Sequence, residues 1–202
     1  MAAISLTHFV DFVKSAGAPK LTVVKNTKQQ LAKEYNPATD FYKALRDGIL
    51  AMHKTGLPKS TLDSILEGLA DKKKKTGYPP LVSGYKKFLG KKNATWFNPP
   101  RDEWSHGGLT VNINPEVGLK IDGCLNVIKL YFKAEALSKL RVDVVTQLMS
   151  LVLSKPKTPV KFSVLDVRNA KLFTSNGTDK GLIALLQGEA ASFASILNAL
   201  PG

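Results

Sequence analysis

An α+β fold follows from two periodicities and one turn. Apolar residues recur at three and four over much of the first ninety positions and again near the C-terminus, as on helix faces, while those flanking Asp122-Gly123 alternate as in strands. Asp-Gly tolerates the positive φ angles of a two-residue hairpin turn. N-terminal helices are therefore expected to pack on a small antiparallel or mixed sheet containing a β-hairpin over 109–133, covered by helices over 134–153 and 178–200. With 202 residues and 44% apolar content, the chain can bury a substantial core.

The first expected element is a helix over 4–14. Asn36-Pro37 reads as a cap followed by proline at the first helical position, and Phe41, Leu45, Ile49 and Met52 then recur until Gly56 ends the helix. Ser60-Thr-Leu-Asp63 resembles a capping box with Asp in the place of Glu or Gln, and Leu62, Ile65, Leu66 and Leu69 form one stripe. A short helix is expected from Pro80 through Leu89. Residues 93–108 carry Trp96 and Trp104 among Pro99, Pro100, Gly107 and Gly108, and read as a connector whose rings are packed plugs. The chain thus divides into a basic helical region, 1–92, the Trp/Pro/Gly connector, 93–108, and an α+β region, 109–202, together one compact unit.

Pairing Ile121 with Cys124 continues as Lys120 with Leu125, Leu119 with Asn126, Gly118 with Val127, Val117 with Ile128, Glu116 with Lys129, Asn114 with Tyr131 and Ile113 with Phe132. This register gathers Val117, Leu119, Ile121, Cys124, Ile128 and Leu130 on one face and Glu116, Lys120, Lys129 and Lys133 on the other, and a slip of one residue would destroy that segregation. Cys124 is accordingly expected as a small buried thiol. Leu137, Leu140, Val144, Leu148 and Leu151 form the next helical stripe, ended by Pro156 and Pro159. Residues 160–173 alternate as one or two strands turning near Asn169, and Thr178-Asp179 caps a last helix docked through Leu186, Ala190, Phe193, Leu197 and Leu200.

The net charge of +13 is unevenly placed: residues 1–92 hold seventeen basic and seven acidic side chains, residues 93–202 twelve and nine. Lys72, Lys73, Lys74, Lys75, Lys86, Lys87, Lys91 and Lys92 follow one another with no acid between the first and last, and Tyr78 and Tyr85 are interleaved. A run of lysines is by default a solvated face, here at a helix end where the dipole favours cations. Lysines that contact phosphates, with rings on which bases stack, point instead to nucleic acid or another polyanion as partner. No apolar run approaches the roughly 20 residues that cross a bilayer, so no transmembrane segment is expected. With the lone Cys124 and no signal-like start, the expected compartment is the cytoplasm.

Catalytic motifs are sparse. Gly84 to Lys92 departs from a Walker loop in glycine spacing and in having Lys92 where Ser or Thr would hold magnesium, and His106-Gly-Gly108 has no nucleophile elbow to serve. His8, His53 and His106 lie far apart, so neither a metal site nor a cofactor is expected. The order of elements over 109–173, helix preceding, hairpin and strand, then helix and strand, resembles the core of the restriction-endonuclease-like nucleases, the PD-(D/E)xK group. That resemblance implies a metal held by a carboxylate on one strand and a Glu-x-Lys on the next. Glu116 stands in the first place, but Lys129-Leu-Tyr131 occupies the second, and opposition of Glu116 to Lys129 explains both residues as a cross-strand ion pair. The leading expectation is a non-catalytic nucleic-acid-binding protein. The alternatives are an interaction or scaffold protein, self-associating through the 178–200 helix, and a degenerate nuclease.

Overall fold

The computed structural model describes residues 2–33, 40–156, 158–175 and 177–201. Its described elements run β1 (Ala2–Ser5), α1 (Leu6–Lys14), α2 (Ala18–Leu31), α3 (Lys43–Thr55), a 3₁₀ helix (Lys59–Leu66), α4 (Lys72–Leu89), β2 (Ala94–Phe97), β3 (Asp102–His106), β4 (Leu109–Ile113), β5 (Val117–Ile121), β6 (Cys124–Tyr131), α5 (Lys139–Leu153), β7 (Val160–Asp166), β8 (Lys171–Thr174) and α6 (Lys180–Ala199). The fold is α+β, with two mixed sheets ordered β1-β4-β3 and β2-β5-β6-β7-β8.

The hairpin at Asp122-Gly123 forms in the expected register from Ile121 opposite Cys124 to Val117 opposite Ile128, with φ of 47° and 88° at the two turn residues. It is shorter than 109–133. Beyond Glu116 the chain crosses to the second sheet, where β4 pairs with β1 in parallel and with β3 in antiparallel, so the expected pairs Asn114–Tyr131 and Ile113–Phe132 do not form. Ile113 packs in the core cluster of α1, α5 and α6, while Val117, Leu119 and Ile128 pack under α3 and α4. Cys124, the first residue of β6 after the turn, is exposed and not the buried thiol expected.

The connector holds two strands, β2 beside β5 and β3 beside β4. Gly107 and Gly108, with φ of 55° and 87°, form the tight turn between β3 and β4, which accounts for His106-Gly-Gly108 without chemistry. Trp104 is buried against Phe9, ring centroids 5.6 Å apart, and Trp96 is half-buried beside His53.

Several helix boundaries differ from expectation. Residues 2–5 form a strand before α1, whose N-cap Ser5 accepts from the His8 amide. Helix α2 has no counterpart among the expected elements: its face toward the core contributes only Val24 and Thr27, too few apolar positions for a periodic signal. The Ser60 stripe folds as a 3₁₀ helix in which Leu62 alone is buried. Helix α5 begins at Lys139, with Ser138 as N-cap, five residues later than expected. Asn36-Pro37 lies outside the described residues; Gly56, at φ 67°, closes α3 as expected. Asp179 caps α6, accepting from the Leu182 amide at 3.0 Å. By length and composition alone α6 is a weak candidate for a membrane-crossing helix, its 20 residues including a window of mean hydropathy 1.3, a test that core helices also meet. Leu186, Ala190, Phe193 and Leu197 lie on its packed face.

Candidate nucleic-acid interface

The helix carrying the lysine run starts eight residues before Pro80. Asp71 caps α4 by accepting from the amides of Lys73 and Lys74 at 2.7 and 3.0 Å, and the helix continues through Pro79 and Pro80. The two prolines free the carbonyls of Lys75 and Thr76 from intrahelical bonding, on a solvent-facing stretch where water can satisfy them. Burial of Tyr78, Leu81, Val82, Tyr85 and Phe88 on the opposite face holds the helix together. Gly84 permits the close approach: a methyl there would overlap the Val167 carbonyl.

Lys72 to Lys75 therefore occupy the first turn of α4, not a C-terminal turn, and the helix dipole opposes their charge. Lys72, Lys73, Lys75, Lys87 and Lys91 are exposed, and none makes an ion pair among the described residues. Lys74 lies over the Phe41 ring at 6.0 Å, Lys86 grips both Asp63 oxygens at 2.9 and 2.7 Å, and Lys92 donates to the Phe88 carbonyl and covers its ring at 5.0 Å. The first-turn lysines and those at the helix end are about 20 Å apart at 1.5 Å per residue, so they form two groups along one outer face.

Tyr78 and Tyr85 are not stacking platforms. Both are fully buried, Tyr78 donating to the Phe41 carbonyl at 2.5 Å and Tyr85 lying 2.7 Å from His53 Nε2. Their spacing from Leu81 and Leu89 puts them on the inner face of α4, a signal present in the sequence but concealed if the helix is taken to begin at Pro80. Burial pushes the Tyr85 hydroxyl up and the His53 imidazole down to about 4.

Basic residues from other segments converge on the hairpin end of the five-stranded sheet. Three hollows of about 350, 450 and 520 Å³ adjoin there. The first two share Cys124 and Lys161 as walls, the second and third Leu125 and Val160; strand alternation sets the first on the α4 face and the third on the α5 face, so the series is a furrow that bends around the end of the sheet. Lys92 lines its start, Lys161 and Lys120 its middle, Lys155 and Arg101 its far end, all exposed, with Asp122 as the acid on its wall. None of these five cations is ion-paired among the described residues. Of the eight lysines singled out in the sequence, Lys92 lines the furrow and Lys91 adjoins it, while Lys72 to Lys75 line none of the three hollows. Lys120, Lys155, Lys161 and Arg101 stand apart in sequence, and the parallel pairing of β6 with β7 brings their segments to one end of the sheet, with Lys161 on the α4 face and Lys120 on the other.

Glu116 is a structural carboxylate. Its Oε1 accepts from Lys129 Nζ at 2.5 Å and its Oε2 from the Leu130 amide at 2.9 Å, the backbone donor left where the β5–β6 ladder stops. No group of three or more His, Cys, Asp or Glu side chains is placed to hold a metal ion among the described residues. No family model and no curated protein sequence matches the chain. Among solved structures it is similar to an alkaline exonuclease from Laribacter hongkongensis, at 13% identity and a TM-score of 0.39, over 98% of this chain and 88% of that one. Likeness at that level is too slight to carry a shared fold or activity.

Proposed function

We propose that the protein binds nucleic acid without catalysis, its phosphates following the furrow from Arg101 and Lys155 past Lys120 and Lys161 to Lys92, and on to Lys91 and Lys87 at the end of α4. The observation that carries this reading is the convergence of five cations from separate segments, none ion-paired among the described residues, against one acid along three adjoining hollows. Adjoining concavities with a large excess of one charge concentrate potential where a backbone can lie. Lys72 to Lys75 form a second contact along α4 for longer ligands. The exposed thiol of Cys124 fits a reducing compartment, and cytoplasmic location belongs to the same proposal.

Anisotropy titration of labelled oligonucleotides at several salt concentrations tests it. Replacing Lys120, Lys155 and Lys161 together by Gln is expected to weaken binding alike across sequences and to flatten the slope of log affinity against log salt by about 0.7 to 0.9 for each phosphate that is no longer neutralised. Absence of binding at low salt, or an unchanged slope, would refute the proposal.

A second reading, self-association through α6, is favoured by Leu185, 49% exposed on its outer face. Sedimentation velocity decides it. A dimer dispersed by Leu185→Glu supports it, and a monomer at all concentrations removes it.

A further inference from the structure

At the opposite end of the five-stranded sheet, beside the carboxyl end of β6, lies a cavity of about 150 Å³, roughly ten times the space that one water needs. Its walls bring together four cations from three elements: Arg46 of α3, Lys129 of β6 with Lys133 just after it, and Arg141 of α5. Glu116 is the carboxylate on the wall; Asp11 and Asp40 stand behind it as partners. Arg141 and Lys133 share Asp11, Arg46 pairs with Asp40 at 2.6 Å, and Lys129 pairs with Glu116. Four cations thus share three ion-paired carboxylates in a partly enclosed space, with Glu135 and Asp47, each paired to another lysine, acting on them from farther off.

The donors outnumber their acceptors as well. Arg141, 5% exposed, gives one terminal nitrogen to Asp11, while its buried Nε has no partner. Arg46 gives one of its two terminal nitrogens to Asp40. Helix α1 begins on the same wall with Leu6 and Thr7, and its first turn contains no acid. Buried donors without acceptors are costly, and an oxyanion is the ligand that would satisfy them.

We propose that this cavity binds a phosphoryl group, as inorganic phosphate or as the head of a small phosphomonoester. Cations approaching from three elements suit three peripheral oxygens better than the two of a carboxylate. Val10, Tyr42 and Phe132, the last two stacked at 5.2 Å, supply apolar wall for the body of an ester. The site is separate from the furrow, and neither proposal depends on the other.

The test uses the full chain in thermal-shift and NMR titrations with inorganic phosphate, adenosine 5′-monophosphate, adenosine and acetate at matched ionic strength. Phosphate and the monophosphate are expected to give saturable responses, and adenosine and acetate none. A tighter response to the monophosphate identifies an ester as ligand, and equal responses identify phosphate alone. Arg46→Gln and Lys133→Gln, both at partly exposed side chains, are each expected to weaken the response about tenfold, whereas Lys161→Gln in the furrow leaves it unchanged. Arg141→Gln is a poorer variant, because it removes a partner of half-buried Asp11. No saturable response to either phosphate, an equal response to acetate, a response undiminished in both cavity variants, or one lost in Lys161→Gln would each overturn the proposal.

Discussion

Glu116 uses both oxygens to close the end of a ladder, so Glu116→Ala strands the Leu130 amide and the Lys129 ammonium together. The expected loss is about 1–3 kcal/mol, read from urea denaturation. The same variant should not change magnesium- or manganese-dependent plasmid nicking; activity that disappears with Glu116 would restore the nuclease reading. His53 offers a second check. Burial holds its folded pKa at about 4 against an ordinary 6.5, so between those values the unfolded chain holds more protons than the folded one. Its contribution to stability is therefore lost as pH falls from 6.5 to 4 and changes little below, and His53→Gln should flatten that part of the stability profile.

Helix α4 sets the proposed contact against stability within one element. Cations in a first turn cost roughly 0.3–1 kcal/mol each, and glutamates there would solubilise the surface while helping the helix. Changing Lys72 and Lys73 to Glu should therefore raise the melting temperature while lowering affinity for long oligonucleotides. Equal affinity in that variant would reduce those lysines to a solvated face. On the inner side, Gly84→Ala should cost about 1–3 kcal/mol or more by forcing α4 away from the Val167 carbonyl, with calorimetry as the measure.

Over the whole molecule, the two charged concavities lie at opposite ends of one sheet, the furrow at the hairpin turn and the cavity near the end of β6. Such separation predicts independent ligands: saturating phosphate should leave the low-salt affinity for an oligonucleotide unchanged once ionic strength is matched. Competition between them would mean a single shared site.

Local chemistry was enough to reveal the α+β class, the Asp122-Gly123 turn, its register as far as Ile128, the ion pair of Glu116 with Lys129 and the cap at Asp179, because each depends on neighbours in sequence or on alternation across one turn. It did not reveal where β4 goes, since 109–113 alternates equally well beside β5 or in another sheet, and only packing against β1, β3 and α1 decides. Nor did it place the cations of the two proposed sites. A run of lysines is visible as text, but the furrow and the cavity are built from side chains far apart in the chain, joined by the parallel pairing of β6 and β7 and by the packing of α1, α3 and α5 around it. Electrostatic potential adds up in space, so tertiary structure decides which charges act together.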